Sequence, residues 1–250
     1  MVLDSARTDS VEKLSKPFKF KEFTIHQDRC AMKIGTDGVI LGAWASIDKN
    51  PSTILDIGAG TGLLSLMLAQ RCLAENIEAL EIDEDSYEQC VENFESSPWA
   101  DRLFCYHAGL DEFIAEIDEP YDLIISNPPF YSEDISSGNT SRDNARQNKS
   151  LPFDELLDGV SKLLSTDGLF ATIIPFKEES AFVILAATFG LFPNRVLRVK
   201  GNPSAEIKRS LLEFTFKKTE VSEDELIIEL KRHKYTKEYI SLTKEFYLKM

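Results

Sequence analysis

The chain has 250 residues, 43% of them hydrophobic and 28% charged, a composition that excludes a disordered polymer, a collagen-like repeat and a disulfide scaffold and reads as a folded, soluble protein. Lys plus Arg number 28 against 42 Asp plus Glu, and a formal charge of −14 argues against tight nucleic-acid binding. The imbalance is uneven: from Arg195 to Met250 there are 13 basic against 9 acidic residues, which leaves 15 against 33 before them.

The start, MVLDSARTDSVEKLSK, lacks the apolar core of a signal peptide, and no apolar run approaches the roughly 20 residues of a membrane span, so a cytoplasmic protein without a membrane partner is expected. PFKFKEFTIHQD then alternates apolar and polar residues, as a short hairpin or extended arm does. CAMKIGTDGVILGAW turns at Gly35 and Gly38 and runs on into a helical apolar stretch. The first 50 residues are read as an N-terminal extension, an arm and a covering segment, to one domain over 51–250. From Pro51 strands and helices alternate: TILDIG, then LLSLMLAQRCL; IEALEI, then DEDSYEQCVENFESS, a helix that Asp83 or Asp85 can cap; LFCYH, then DEFIAEI; and YDLIIS. Such alternation predicts an α/β fold with a parallel sheet covered by helices on both faces. The polar stretch between Asn127 and Leu151 is a long loop. PFDELLDGVSKLLSTDG resumes as a helix, LFATIIP as a strand and EESAFVILAATFG as a helix. RVLRVK, RSLLEFTFKK and ELIIEL follow without a helix between them, as antiparallel strands at the C-terminal end, and KEYISLTKEFYLKM closes as a helix. The four cysteines, Cys30, Cys72, Cys90 and Cys105, show no CxxC and no His at metal spacing, so reduced, mainly buried thiols and no metal are expected.

The chemistry concentrates at strand ends. Asp56-Ile57-Gly58-Ala59-Gly60-Thr61-Gly62 joins a strand to a helix, where glycines let the backbone turn sharply and lie against a ligand. A dinucleotide fingerprint needs a third glycine where this chain has Leu63, whereas GxGxG suits S-adenosylmethionine, whose cationic amino-acid and sulfonium end is matched by Asp56. Glu81, at the end of the second strand of the repeat, can accept both hydroxyls of a ribose, and Ile82 would pack on an adenine face. Asn127-Pro128-Pro129-Phe130 follows YDLIIS. Consecutive prolines stiffen the turn, so the carbonyl groups of Asn127 and Pro128 can accept both hydrogens of one NH₂ group. That favours the pyramidal, nucleophilic nitrogen and stabilises the charge that develops on it, while Phe130 stacks on the planar group that bears it.

With these motifs in place the chain resembles the class I S-adenosylmethionine-dependent methyltransferases of the (N/D)PP(Y/F) amino-methylating type. FTIHQDRCAMKIGTDGVILGAW, NPSAEIKRSLLEF and YTKEYISLTKEFYLKM narrow the resemblance to the tRNA1(Val) (adenine(37)-N6)-methyltransferase family, over about Phe18 to Met250. The resemblance implies a Rossmann-like, mostly parallel sheet of seven strands, and methyl transfer from S-adenosylmethionine to adenine N6 in the anticodon loop of a valine tRNA. It implies a methionine-side loop of Asp56, Gly58, Gly60 and Gly62, a ribose carboxylate at Glu81, and a target-amine pocket of Asn127, Pro128 and Phe130. Lys33, Gly35, Thr36 and Asp37 would close over the cofactor. Gly109 stands where such enzymes commonly carry an Asp to the adenine amino group, a contact that backbone or Asp111 could take over.

Pro129, Tyr131, Arg142 and Arg146, with Lys149, are expected to hold an everted target nucleotide and its phosphate. Arg195, Arg198, Lys200, Lys208 and Arg209 could extend a tRNA-binding face. His26, His107 and His233 are read as non-catalytic, and Trp44 and Trp99 as packing residues. The alternatives are the same chemistry on a protein glutamine amide or an rRNA guanine amine, or a non-catalytic RNA-binding protein.

Overall fold

The computed structural model describes residues 16–117, 119–129 and 151–250. A short antiparallel hairpin, β1 (Phe18–Lys19) and β2 (Thr24–Ile25), precedes α1 (Thr36–Trp44). The alternating unit runs β3 (Thr53–Ile57), α2 (Leu63–Arg71), β4 (Asn76–Glu81), α3 (Glu84–Glu95), β5 (Leu103–His107), α4 (Leu110–Glu116) and β6 (Tyr121–Ser126). It resumes with α5 (Phe153–Leu163), β7 (Leu164–Pro175), α6 (Glu179–Thr188), β8 (Phe192–Lys200), β9 (Ile207–Thr215), β10 (Ser222–Ile227), β11 (Glu229–Lys231), β12 (Lys234–Tyr235) and α7 (Lys237–Thr243). The central sheet has the order β10-β8-β9-β7-β6-β3-β4-β5, with β3 to β7 parallel and β9 antiparallel to both of its neighbours.

The strands read as continuous apolar runs because both faces are covered. Successive residues go to opposite cores: Ile54 and Ile125 pack with α1, α2 and α3, whereas Leu55 and Ile124 pack with α4, α5 and α6. The mostly parallel α/β architecture with antiparallel pairing toward its C-terminal end is therefore as expected. Several details differ. The sheet has eight strands rather than seven, because β10 adds to the edge at β8, and it runs parallel to β8. ELIIEL is split between β10 and β11, and the latter pairs with β12 in a separate small hairpin. Gly38 lies inside α1 rather than at a turn and packs against α2, where a Cβ would stand 2.9 Å from Leu63 Cδ2 and push that side chain aside. The last helix stops at Thr243. Beyond it Phe246 is buried, its carbonyl accepts the Lys21 N–H at 2.9 Å, and Tyr247 bridges to Phe20, so the tail is drawn onto the N-terminal hairpin.

Helix boundaries follow their caps. Asp83, of the two candidates, caps α3 by accepting from the Ser86 N–H at 3.1 Å, and Thr236 caps α7 by accepting from Tyr239 at 3.1 Å. All four cysteines are free; Cys30 and Cys90 are buried, and burial pushes the Cys30 thiol up to about 11. Trp44 and Trp99 are packing residues: the Arg195 guanidinium lies 4.3 Å over the Trp44 ring, and Trp99 meets Phe23 edge-on. No described helix is long and apolar enough to cross a membrane.

Candidate active site

Parallel register brings four strand ends to one edge of the sheet, in the order β6, β3, β4, β5. Ile57 pairs with Ser126 on one side and Leu80 on the other, and Glu81 pairs with His107. The loop after β3, the motif after β6 and the carboxylate ending β4 are thus neighbours in space. Ser126, buried, donates from Oγ to the Ile57 carbonyl at 2.8 Å and pins the first two together. The N–H groups of Gly58 and Ala59 both donate to the Leu80 carbonyl at 2.9 Å, which binds the glycine loop to β4.

Gly58, Gly60 and Gly62 have φ of 74°, 55° and 77°, the left-handed region that side chains with a Cβ rarely adopt. Nothing lies within 4 Å of where a Cβ would stand on Gly58 or Gly60, so this stretch of backbone is open to a ligand. At Gly62 the reason is packing, since a Cβ would stand 2.5 Å from the Phe94 ring and 2.9 Å from Cys90 Sγ. Asp56 is wholly buried behind the loop. Its Oδ2 accepts from Ser65 N–H at 3.2 Å and Ser65 Oγ at 2.8 Å, capping the first turn of α2, while Oδ1 has no protein donor. Burial pushes the Asp56 carboxyl up to about 7 against the opposing effect of the two Ser65 bonds. Glu81 accepts from Gly60 N–H at 2.8 Å through Oε2 and from Asp83 N–H at 2.9 Å through Oε1. Each oxygen keeps a second lone pair, and the carboxylate is held at a fixed angle beside the loop. Ile82, next along, is 60% exposed.

Beyond β6, Asn127 is half-buried, and its Oδ1 is buried without a hydrogen-bond partner. Pro128 is buried and Pro129 half-buried. The first turn of α1 lies against this motif, for a Cβ on Gly38 would stand 3.7 Å from Asn127 Nδ2. Phe130, Tyr131, Arg142, Arg146 and Lys149 lie outside the described residues.

The N-terminal segment is tied to the site by residues that sequence reasoning missed. Asn93 of α3 accepts from His26 N–H at 2.8 Å, and its Nδ2 lies 2.9 Å from both the His26 and the Thr61 carbonyls, clamping the segment to the glycine loop. Gln89, one turn earlier, accepts from Arg29 N–H at 3.2 Å. The signal was there: two amides four residues apart on the buried stripe of a helix. Lys33 donates to the Gln27 carbonyl at 2.5 Å, Asp37 pairs with Arg209 at 2.7 Å, and Gly35 and Thr36 are exposed. At Gly109, Asp111 Oδ1 stands 2.7 Å from where a Cβ would be, with Ile82 Cδ1 at 3.8 Å, so the Asp111 carboxylate fills the space from which a side chain at that position would start.

The basic face expected on Arg195, Arg198, Lys200 and Arg209 is spent on internal contacts. Arg195 donates to the Trp44 carbonyl and to Ser46 Oγ, Arg198 forks onto Glu179 and reaches Glu223, Lys200 pairs with Glu225, and Arg209 pairs with Asp37. Lys208 is exposed. Burial would raise the Glu179 carboxyl, but bonds from Arg198 and Ser210 bring it below its ordinary value. No group of three or more His, Cys, Asp or Glu among the described residues could hold a metal.

A family model described as methyltransferase small domain matches residues 44–150. A curated protein of Flavobacterium johnsoniae, named tRNA1(Val) (adenine(37)-N6)-methyltransferase, is 61% identical over 93% of this chain and 100% of its own length. A Bacteroides fragilis protein of the same name is 46% identical over 95% of this chain and 100% of its own. Among solved structures, a predicted O-methyltransferase, protein Atu636 from Agrobacterium tumefaciens, superposes with a TM-score of 0.66 at 18% identity, covering 84% of this chain and 96% of that one, a likeness of fold.

Proposed function

The chain belongs to the tRNA1(Val) (adenine(37)-N6)-methyltransferase family, and from that premise we propose that it methylates the exocyclic N6 of adenine 37 in the anticodon loop of tRNA1(Val), in the cytoplasm. S-adenosylmethionine, when bound, supplies the methyl group and leaves as the neutral thioether. The residues fit it. Gly58 and Gly60 leave open space along the loop, Asp56 Oδ1 is a buried acceptor without a protein donor, and Glu81 retains lone pairs for a ribose. We assign Asp56 to the cationic amino-acid end, Ile82 to the adenine face, and Lys33, Gly35, Thr36 and Asp37 to the covering segment.

The observation that carries the reading is the Oδ1 of Asn127, buried and unpartnered at the end of β6, beside the glycine loop. An unsatisfied buried carbonyl costs about 1–3 kcal/mol, a cost that a donor from outside relieves. The N6 amine of adenine brings two hydrogens, one for Asn127 Oδ1 and one for the Pro128 carbonyl. Accepting both draws the lone pair out of conjugation, leaving it free to form a bond, and stabilises the positive charge that develops on nitrogen. One proton then leaves to solvent. The adenine must be extruded to reach this edge, a task we assign to Pro129, Phe130, Tyr131, Arg142 and Arg146.

The test is transfer of labelled methyl to unmodified tRNA, followed by nucleoside mass spectrometry. N6-methyladenosine at position 37 of the valine species is the expected product; labelled protein with unlabelled RNA would overturn the reading.

A further inference from the structure

Of the cations expected to extend an RNA-binding face, Arg195, Arg198, Lys200 and Arg209 are engaged by other parts of the chain, but another set is not. Lys231 and Lys234 face each other across the β11–β12 hairpin, joined by the two-residue turn Arg232-His233, with His233 at φ 62°. Lys231, Arg232 and Lys234 are exposed and form no ion pair among the described residues, and exposed Lys237 opens the helix that follows. From Glu229 to the end of the chain there are six Lys or Arg against three Glu, in a protein of net charge −14.

The same hairpin forms one wall of a cleft of about 510 Å³, within the ~300–1,000 Å³ of typical ligand clefts. Its walls carry three half-buried aromatic side chains, Phe18, Tyr235 and Tyr247, with buried Tyr239 beneath them, and the exposed residues Gly35 and Thr36. Lys19 and Lys249 add cations to the lining; Glu229 is its acidic member, and its carboxylate accepts from His233 N–H at 3.3 Å. Gly35 and Thr36 begin the turn of α1 whose Gly38 rests against Asn127. The cleft and the proposed amine pocket therefore both border the first turn of α1.

We propose that hairpin and cleft together form the docking surface for the RNA strand that flanks the target nucleotide, with phosphates on Lys231, Arg232 and Lys234 and an unpaired neighbouring base among the aromatic side chains. Unpaired cations beside aromatic faces are the pattern that holds single-stranded RNA, through charge and base stacking. An acidic body repels a polyanion elsewhere and confines it to this patch. The inference rests on the methyl-transfer reading above.

The full chain is titrated with unmodified tRNA1(Val) by fluorescence anisotropy, comparing the natural protein with Lys231→Ala/Arg232→Ala/Lys234→Ala and with a control, Lys162→Ala/Lys177→Ala. The triple variant is expected to bind tRNA about tenfold or more weakly, with a log K against log salt slope shallower by about 2, near 0.7 for each phosphate no longer neutralised. Its KM for tRNA should rise while S-adenosylmethionine affinity and melting temperature match the natural protein, which separates lost docking from misfolding. Ultraviolet cross-linking of the natural protein should place RNA adducts on the peptide that spans the hairpin. A triple variant that binds like the control, or adducts confined to other peptides, overturns this surface while leaving the methylation reading intact. A natural protein that methylates no tRNA overturns both.

Discussion

Asn127 combines two properties that single substitutions can separate. Asn127→Ala removes the acceptor we assign to the transition state, so kcat should fall by at least about 10²–10³-fold. It also removes a buried oxygen without a donor, so the melting temperature should hold or rise. Calorimetry beside the methyl-transfer assay checks both, and a fully active variant would reject the assignment. Asp56 ties stability to pH. Its folded carboxyl titrates near 7 against an ordinary value of 3.8, so the folded chain holds one more proton than the unfolded one between those values. This contribution is whole below about pH 4 and is lost as pH rises through about 7, at up to about 1.4 kcal/mol per pH unit. Denaturant melts should show that slope without ligand, and Asp56→Asn should flatten it whatever it does to the absolute stability. Both residues were legible because glycines and prolines punctuate their immediate neighbours. Ser65, which orients Asp56, and Ser126, which pins the two motifs, carried no such mark: small polar residues among apolar runs acquire meaning only from partners 9 and 69 positions away.

Among the elements, α3 carries the most dependence. Its Gln89 and Asn93 replace what would be apolar positions and hold residues 26–29 beside the glycine loop. Asn93→Ala orphans the His26 groups and frees Thr61. A cost of about 1–3 kcal/mol is expected by thermal melt, together with weaker S-adenosylmethionine binding by calorimetry. Thr236→Ala, which uncaps α7, should cost about 0.5–2 kcal/mol without that second effect. The helices and parallel strands were readable from periodicity because each buries a continuous face. The parallel run of β10 and the short span of α7 were not, since both depend on which distant neighbour claims the segment: β8 for the one, the N-terminal hairpin for the other. The same holds for the expected basic face, where cations spaced like a binding surface had carboxylates waiting on other strands and helices.

The two ends of the molecule close on each other. Phe18, Phe20 and Tyr247 meet as a ring cluster, Phe20 stacks on Phe23, and Phe246 is buried beneath the tail. Phe246→Ala should cost about 3–5 kcal/mol, and proteolysis should then begin within the hairpin rather than elsewhere. The apolar helix α1, buried from Gly38 through Trp44, has a related consequence. Its residues fill the same core as α2, so a shortened chain that begins at Pro51 would keep both strand-end motifs yet uncover Leu63 and Met67 to water. The chemistry of this protein is for that reason not portable: grafting the two motifs onto another scaffold would leave behind the helix that seats one against the other.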